Sequence, residues 1–230
     1  MAYLPKNIIL YNRNFDIIVK RHARSRRITM RIHPIYDQVR ITAPKHLSEK
    51  RIADFLNYNQ HHLAQHAAAL PQPVTLQYGT SIPVFGEMHY ITQHRKDAAC
   101  LVILSTDAKV KQHTVATLGM LLKDFIQNVI DDLWHHPLFM HIERPVAITL
   151  RDPASRWGSC SSNGRIMLSR RLIFAPKYVA RYVIIHECCH LIHMDHSNAF
   201  WTLCRKFSPE CDKASAWLKH HHRELFKYQI

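Results

Sequence analysis

His186, Glu187 and His190 stand in the order H-E-x-x-H, and His196 follows six residues after the second histidine. Residues four apart on a helix are turned by about 400°, so they return to one face about 6 Å further along its axis. His186 and His190 can therefore share one metal ion. Glu187 lies roughly 80° round from the centre of that face, within reach of a water on the metal without displacing it. Three imidazoles leave one position of a tetrahedral zinc ion open, the arrangement of a hydrolytic centre. Histidine is abundant here, 19 of 230 residues, yet roughly 0.04 chance matches to H-E-x-x-H are expected in such a chain. The bland alternative is a pair of satisfied core histidines. Against it, the mostly apolar run Tyr178 to Ile185 leads into the motif behind Pro176. A core helix does not carry a glutamate and two histidines without a partner for them.

His196 needs a turn after His190, because a continuing helix would carry it about 600° on and several ångströms too far along. The gap Leu191-Ile192-His193-Met194-Asp195 holds no glycine, and no methionine follows Met194, which excludes a metzincin Met-turn. The bend is expected near Met194-Asp195, where aspartate tolerates unusual backbone angles. Ser197 then caps the next helix. His193 is the rival third ligand, but at i+3 from His190 it points past the ion. Cys188 and Cys189 are soft donors inside the motif. A mixed His/Cys site competes with their packing as small buried hydrophobes, which is the expected reading.

These residues need a scaffold, and the chain reads as one. Short strands are expected at Phe15 to Val19, Ile28 to Ile32 and Val39 to Ala43, then a helix from Glu49 to Leu70 behind Ser48. Further strands are read at Ser81 to Phe85, His89 to Gln93 and Leu101 to Leu104, with Gly79 and Gly86 at turns. A long helix is expected from Val110 to His141, a strand at Val146 to Leu150, and two helices after the metal helix. Ser162-Asn163-Gly164 is a turn signal, followed by a strand from Arg165 to Arg170. Lying just before the metal helix, that strand is expected to offer its edge to an extended peptide through Ile166, Met167 and Leu168. The competing reading is an internal hairpin with both edges occupied. Phe200 and Trp201 are read as core residues of the third-ligand helix.

Composition narrows the setting. The chain has no run approaching the ~20 apolar residues of a membrane span, and Met1 to Lys20 lacks a signal-peptide pattern. Six cysteines show no C-x-x-C pair, which fits reduced thiols and a cytoplasmic location. The net charge of +14, densest from Lys20 to Arg27, makes nucleic acid a candidate partner, although no nucleic-acid-binding motif is present.

Arg156-Trp157-Gly158-Ser159-Cys160-Ser161, the helix bearing His186-Glu187-x-x-His190, and Asp195-His196-Ser197-x-x-Phe200-Trp201 together resemble the YgjP-like metallopeptidase family, related to the SprT-like and WLM zinc proteases. The resemblance extends to Arg24-Ser25-Arg26-Arg27-Ile28, Val39 to Pro44, and Tyr78-Gly79 with Gly86 to Tyr90. It implies zinc on His186, His190 and His196, with Glu187 as general base in peptide hydrolysis. Cys188-Cys189 replace small apolar residues, and Ser169 stands near where asparagine is common; neither change touches the ligand set.

The expected class is α+β. An amino-terminal β-rich part with a helix, residues 1–105, precedes a minimal zincin-like metallopeptidase domain, residues 106–230, packed with it as one compact unit; Pro71-Gln72-Pro73 is the best internal boundary or else only a loop. The expected activity is zinc-dependent hydrolysis of peptide bonds in a protein or peptide. Two readings compete: a zinc hydrolase of non-peptide amides, and a basic nucleic-acid-associated protein with a structural or vestigial zinc site. Glu187 argues against the last, because a structural site has no use for an acid beside an open coordination position.

Overall fold

A computed structural model describes residues 4–33, 36–94, 100–103 and 105–230. The chain forms two compact units, residues 1–72 and 73–230.

In the first unit, β1 (Asn7–Leu10), β2 (Arg13–His22), β3 (Thr29–His33) and β4 (Gln38–Pro44) form a sheet in the order β1-β2-β4-β3. Tyr11 and Asn12, both at positive φ, turn β1 into β2, as a two-residue hairpin between right-twisted strands requires. Two helices, α1 (Glu49–Tyr58) and α2 (Gln60–Ala68), bury Ile52, Leu56 and Leu63 against Phe15, Val39 and Ile41. A single helix was expected here. Asn59 divides it, donating its side-chain amide to the Phe55 carbonyl at 2.8 Å, a local bond that competes with the helical ladder.

The second unit begins with β5 (Ser81–Val84), β6 (Glu87–Thr92) and β7 (Cys100–Val102), in that order in their sheet. Of the strand expected over Leu101 to Leu104, Leu104 lies outside the described residues. The units divide at Gln72/Pro73, within the Pro71-Gln72-Pro73 break, rather than at 105/106. The reason is packing: Ile82, Val84, Ile91 and Leu101 share one core with the metal helix, and the Phe85 N–H donates to the Ile173 carbonyl at 2.7 Å. α3 (Val110–Trp134) follows. It stops seven residues short of the expected His141, since Pro137 disfavours helix at the residue before it.

β8 (Ala147–Arg151), β9 (Gly158–Cys160) and β10 (Arg165–Ser169) form a sheet ordered β8-β10-β9. This corrects the edge-strand expectation for Ile166, Met167 and Leu168. β10 is the central strand, parallel to β8 and antiparallel to β9, so its backbone groups are engaged on both sides. Ile166 and Leu168 are buried in the core. The end strand on the metal-helix side is β9. α4 (Lys177–Cys189), α5 (Asn198–Phe207) and α6 (Cys211–His221) complete the unit. No described helix is long and apolar enough to cross a membrane.

Arg171, between β10 and α4, is fully buried. It meets Asp152 through two bonds of 2.6 and 3.0 Å and donates to the carbonyls of Leu225 and Tyr228 at 2.9 Å each. The carboxy-terminal segment is thereby tied to the approach to β9. Removing one partner of a buried pair strands the others, so Arg171→Ala is expected to lower the free energy of unfolding by about 3–5 kcal/mol. Urea denaturation measures it, and a loss below about 1 kcal/mol would show that this anchor carries no weight.

Candidate metal centre

α4 delivers His186 and His190 from one face, as their spacing requires. His190 is the last residue before the chain leaves the helix, at φ −66° and ψ −18°. The bend that returns His196 is built without the unusual backbone angles expected at Asp195: no described residue from Leu191 to Ser197 has a positive φ. Instead the Asp195 carboxylate accepts the Ser197 N–H at 3.2 Å, and Ser197 Oγ accepts the Phe200 N–H at 3.4 Å to start α5. A side chain thus does what a glycine would otherwise do through φ.

One donor atom from each of His186, His190 and His196 lies within 4.8 Å of the others. Nε2 of His186 stands 3.1 Å from Nε2 of His196. Two nitrogens bound at about 2.0–2.1 Å to one tetrahedral zinc ion stand about 3.3–3.4 Å apart, so the spacing fits the ion to within a few tenths of an ångström. His190 Nδ1 lies 2.9 Å from the His193 carbonyl. A carbonyl only accepts, so Nδ1 carries the proton and Nε2 keeps its lone pair for a metal. His193, the rival candidate, thus meets His190 through its backbone carbonyl. His186 Nδ1 is sealed from solvent, which leaves Nε2 as the nitrogen facing the cluster. Burial, reinforced by His190 and His196, pushes the His186 imidazole down to about 4; burial also lowers His190. Neutral imidazoles are the form that binds metal.

Phe200 is fully buried and lies beneath all three rings, with centroids 4.6 Å from His190 and 4.9 Å from both His186 and His196. Trp201 stacks on His196 at 5.6 Å. Cys188 and Cys189 are fully buried and stand outside the donor cluster. Burial holds the Cys188 thiol far up its scale, as suits packing rather than ligation.

Glu187 is 5% exposed. Burial pushes its carboxyl up to about 7, against the opposing pull of the Arg156 guanidinium. It rests on Gly158 of β9: a Cβ there would lie 2.6 Å from Glu187 Cγ and 2.7 Å from Cδ, and closer still to Oε1. Gly158 was visible in the Trp157-Gly158-Ser159 segment, but nothing local shows that it faces the glutamate. The three imidazoles, Glu187 and all of β9 line one cleft of ≈ 260 Å³.

The YgjP-like, metallopeptidase domain description matches residues 26–221. The chain belongs to the YgjP-like family. A YgjP-like protein is by class a zinc metallopeptidase, and peptides are its implied substrates. The match runs through both units and takes in His186, Glu187, His190 and His196. Among solved structures, the crystal structure of the metallopeptidase zymogen of Pyrococcus abyssi abylysin is similar over 47% of this chain and 99% of that one, with 22% identity and a TM-score of 0.36. No curated protein matches.

Proposed function

We propose that His186, His190 and His196 hold a zinc ion through Nε2 and that Glu187 is the general base of peptide hydrolysis. The observation that carries this reading is a buried carboxyl, raised to about 7, in one cleft with three converging imidazoles. Zinc bound there supplies a Lewis acid that acidifies water and polarises a carbonyl. Glu187 takes the proton of the attacking water and returns it to the leaving amine; a base with a pKa near the working pH suits both transfers. β9, the end strand of its sheet among the described residues, gives an extended substrate a backbone edge to pair with. This is the role first expected of β10. Cys204 and Cys211, with sulfurs 3.8 Å apart and no disulfide between them, favour a reducing, cytoplasmic setting.

The test is peptide cleavage by zinc-loaded protein, after chelation, and after zinc is returned. Activity that survives chelation would overturn the reading. His196→Ala is expected to weaken zinc binding by more than about 100-fold, beyond the 10–100-fold cost of an outer-shell change. A competing chromogenic chelator measures this, and an affinity within about threefold of the parent would remove His196 from the ligand set.

A second reading concerns the basic first unit. Residues 1–72 hold twelve Lys and Arg against four Asp and Glu, a net +8 of the chain's +14. The register of β2, β4 and β3 places Lys20, Arg31 and Arg40 on one exposed sheet face. Nucleic acid bound there would lose affinity steeply with salt; a flat response in a DNA titration would count against it.

A further inference from the structure

Beside the metal cleft, sharing Gly158, His186 and Glu187 with it, opens a larger cavity of ≈ 470 Å³. Its floor is apolar. Trp157 stacks on Phe226 with ring centroids 5.6 Å apart, and Val183 and Leu218 line the same space. Arg171 fixes this floor by holding the carbonyls of Leu225 and Tyr228 on either side of Phe226, so the cavity is built in advance of any ligand. Its rim is basic. Arg156 comes from the approach to β9 and Lys219 from α6, with His222 just beyond that helix. Neither Arg156 nor Lys219 is in an ion pair among the described residues. Glu187 is the sole acid among the described lining residues, and the proposed mechanism employs it.

We propose that this cavity is a subsite for an acidic side chain of the peptide substrate, glutamate in preference to aspartate. The inference rests on the peptidase reading above. Two cations from separate elements converge over an apolar floor, where low-dielectric walls concentrate their field. A glutamate lays its methylene stem along Trp157 and Phe226 and brings its carboxylate to Arg156 and Lys219. The shorter aspartate reaches the rim only by leaving the floor. Because Glu187 and His186 form the shared wall, the recognised residue is one that flanks the scissile bond.

The experiment maps cleavage sites in a mixed peptide library by mass spectrometry, for the zinc-loaded parent and for Arg156→Glu/Lys219→Glu, with every peptide present as free acid and as carboxyl-terminal amide. The parent is expected to favour glutamate over lysine at one position flanking the cleaved bond by at least about tenfold in kcat/KM, and the double variant to invert that order. Zinc content shows whether the centre survives in the variant. Cleavage without acidic preference in the parent, or a preference that the variant keeps, would overturn the subsite. A preference confined to the free acids would transfer the cavity to the terminal carboxylate and overturn the side-chain assignment. A parent that binds zinc and cleaves no peptide removes the peptidase reading itself, and the subsite with it.

Discussion

Glu187→Gln is expected to lower kcat/KM for peptide cleavage by about 10²–10⁴-fold, the range that a positioned acid–base group contributes, while leaving bound zinc at parent levels. Glutamine keeps the shape that packs against Gly158 but cannot take a proton. The three histidines that could hold a metal are separate residues, so the substitution leaves them in place. Stability is also expected to hold, because the change removes a buried ionisable group whose charged form burial disfavours. Those three readouts separate roles that are easily confused. Lost activity with zinc and stability retained assigns Glu187 to the proton transfers. Lost zinc would make it a support of the centre, and activity within about tenfold of the parent would end the general-base assignment.

Gly158→Ala is expected to cost about 10²-fold in activity, the scale of a misplacement of about 1 Å in a reacting group. The glycine is required for space rather than for backbone freedom, since it is not among the residues at positive φ. An added methyl would stand 2.6–2.7 Å from Glu187 Cγ and Cδ, nearer than real side chains approach. Something must yield, and the side chain that yields is the glutamate. Zinc content is expected to stay at the parent level, because the nearest atoms to the new methyl are all in Glu187. A crystal structure of the variant would show the displaced carboxylate directly. Parent-level activity would mean that the carboxylate position is not critical, and would weaken the mechanism as much as the packing argument.

What could be read along the chain and what could not divides by range. The H-E-x-x-H spacing is a statement about one helix, and helix geometry alone places His186 and His190 together. Ser197 as a cap and Ser162-Asn163-Gly164 as a turn are equally local, and both are found. The place of the bend before His196 is legible, but its means is not: a carboxylate holding a backbone N–H leaves the same residue types in the sequence as a left-handed aspartate. β10 is legible as a strand just before the H-E-x-x-H helix, yet its position in the sheet is not. Whether a strand is central depends on a partner recruited from elsewhere. β8 pairs with it from eighteen residues upstream, and alternation of apolar residues carries no record of that pairing. Pro71-Gln72-Pro73 marks the division locally, but which side β5 to β7 join is not legible: they look like a continuation of the earlier strands yet bury their apolar faces in the core of α4.

Sequence alone therefore determined the chemistry on offer: three histidines and a glutamate, their order on a helix and after its turn, and the family that the surrounding motifs resemble. Tertiary structure decided how that chemistry is held and presented. It set Glu187 against Gly158, put Phe200 under three imidazoles, made β9 rather than β10 the strand facing the cleft, and opened a basic-rimmed cavity between residues more than sixty positions apart. The physical reason is that ligand spacing follows from the covalent geometry of a single helix, whereas burial, strand order and cavities are sums over contacts between segments with no fixed separation in the chain.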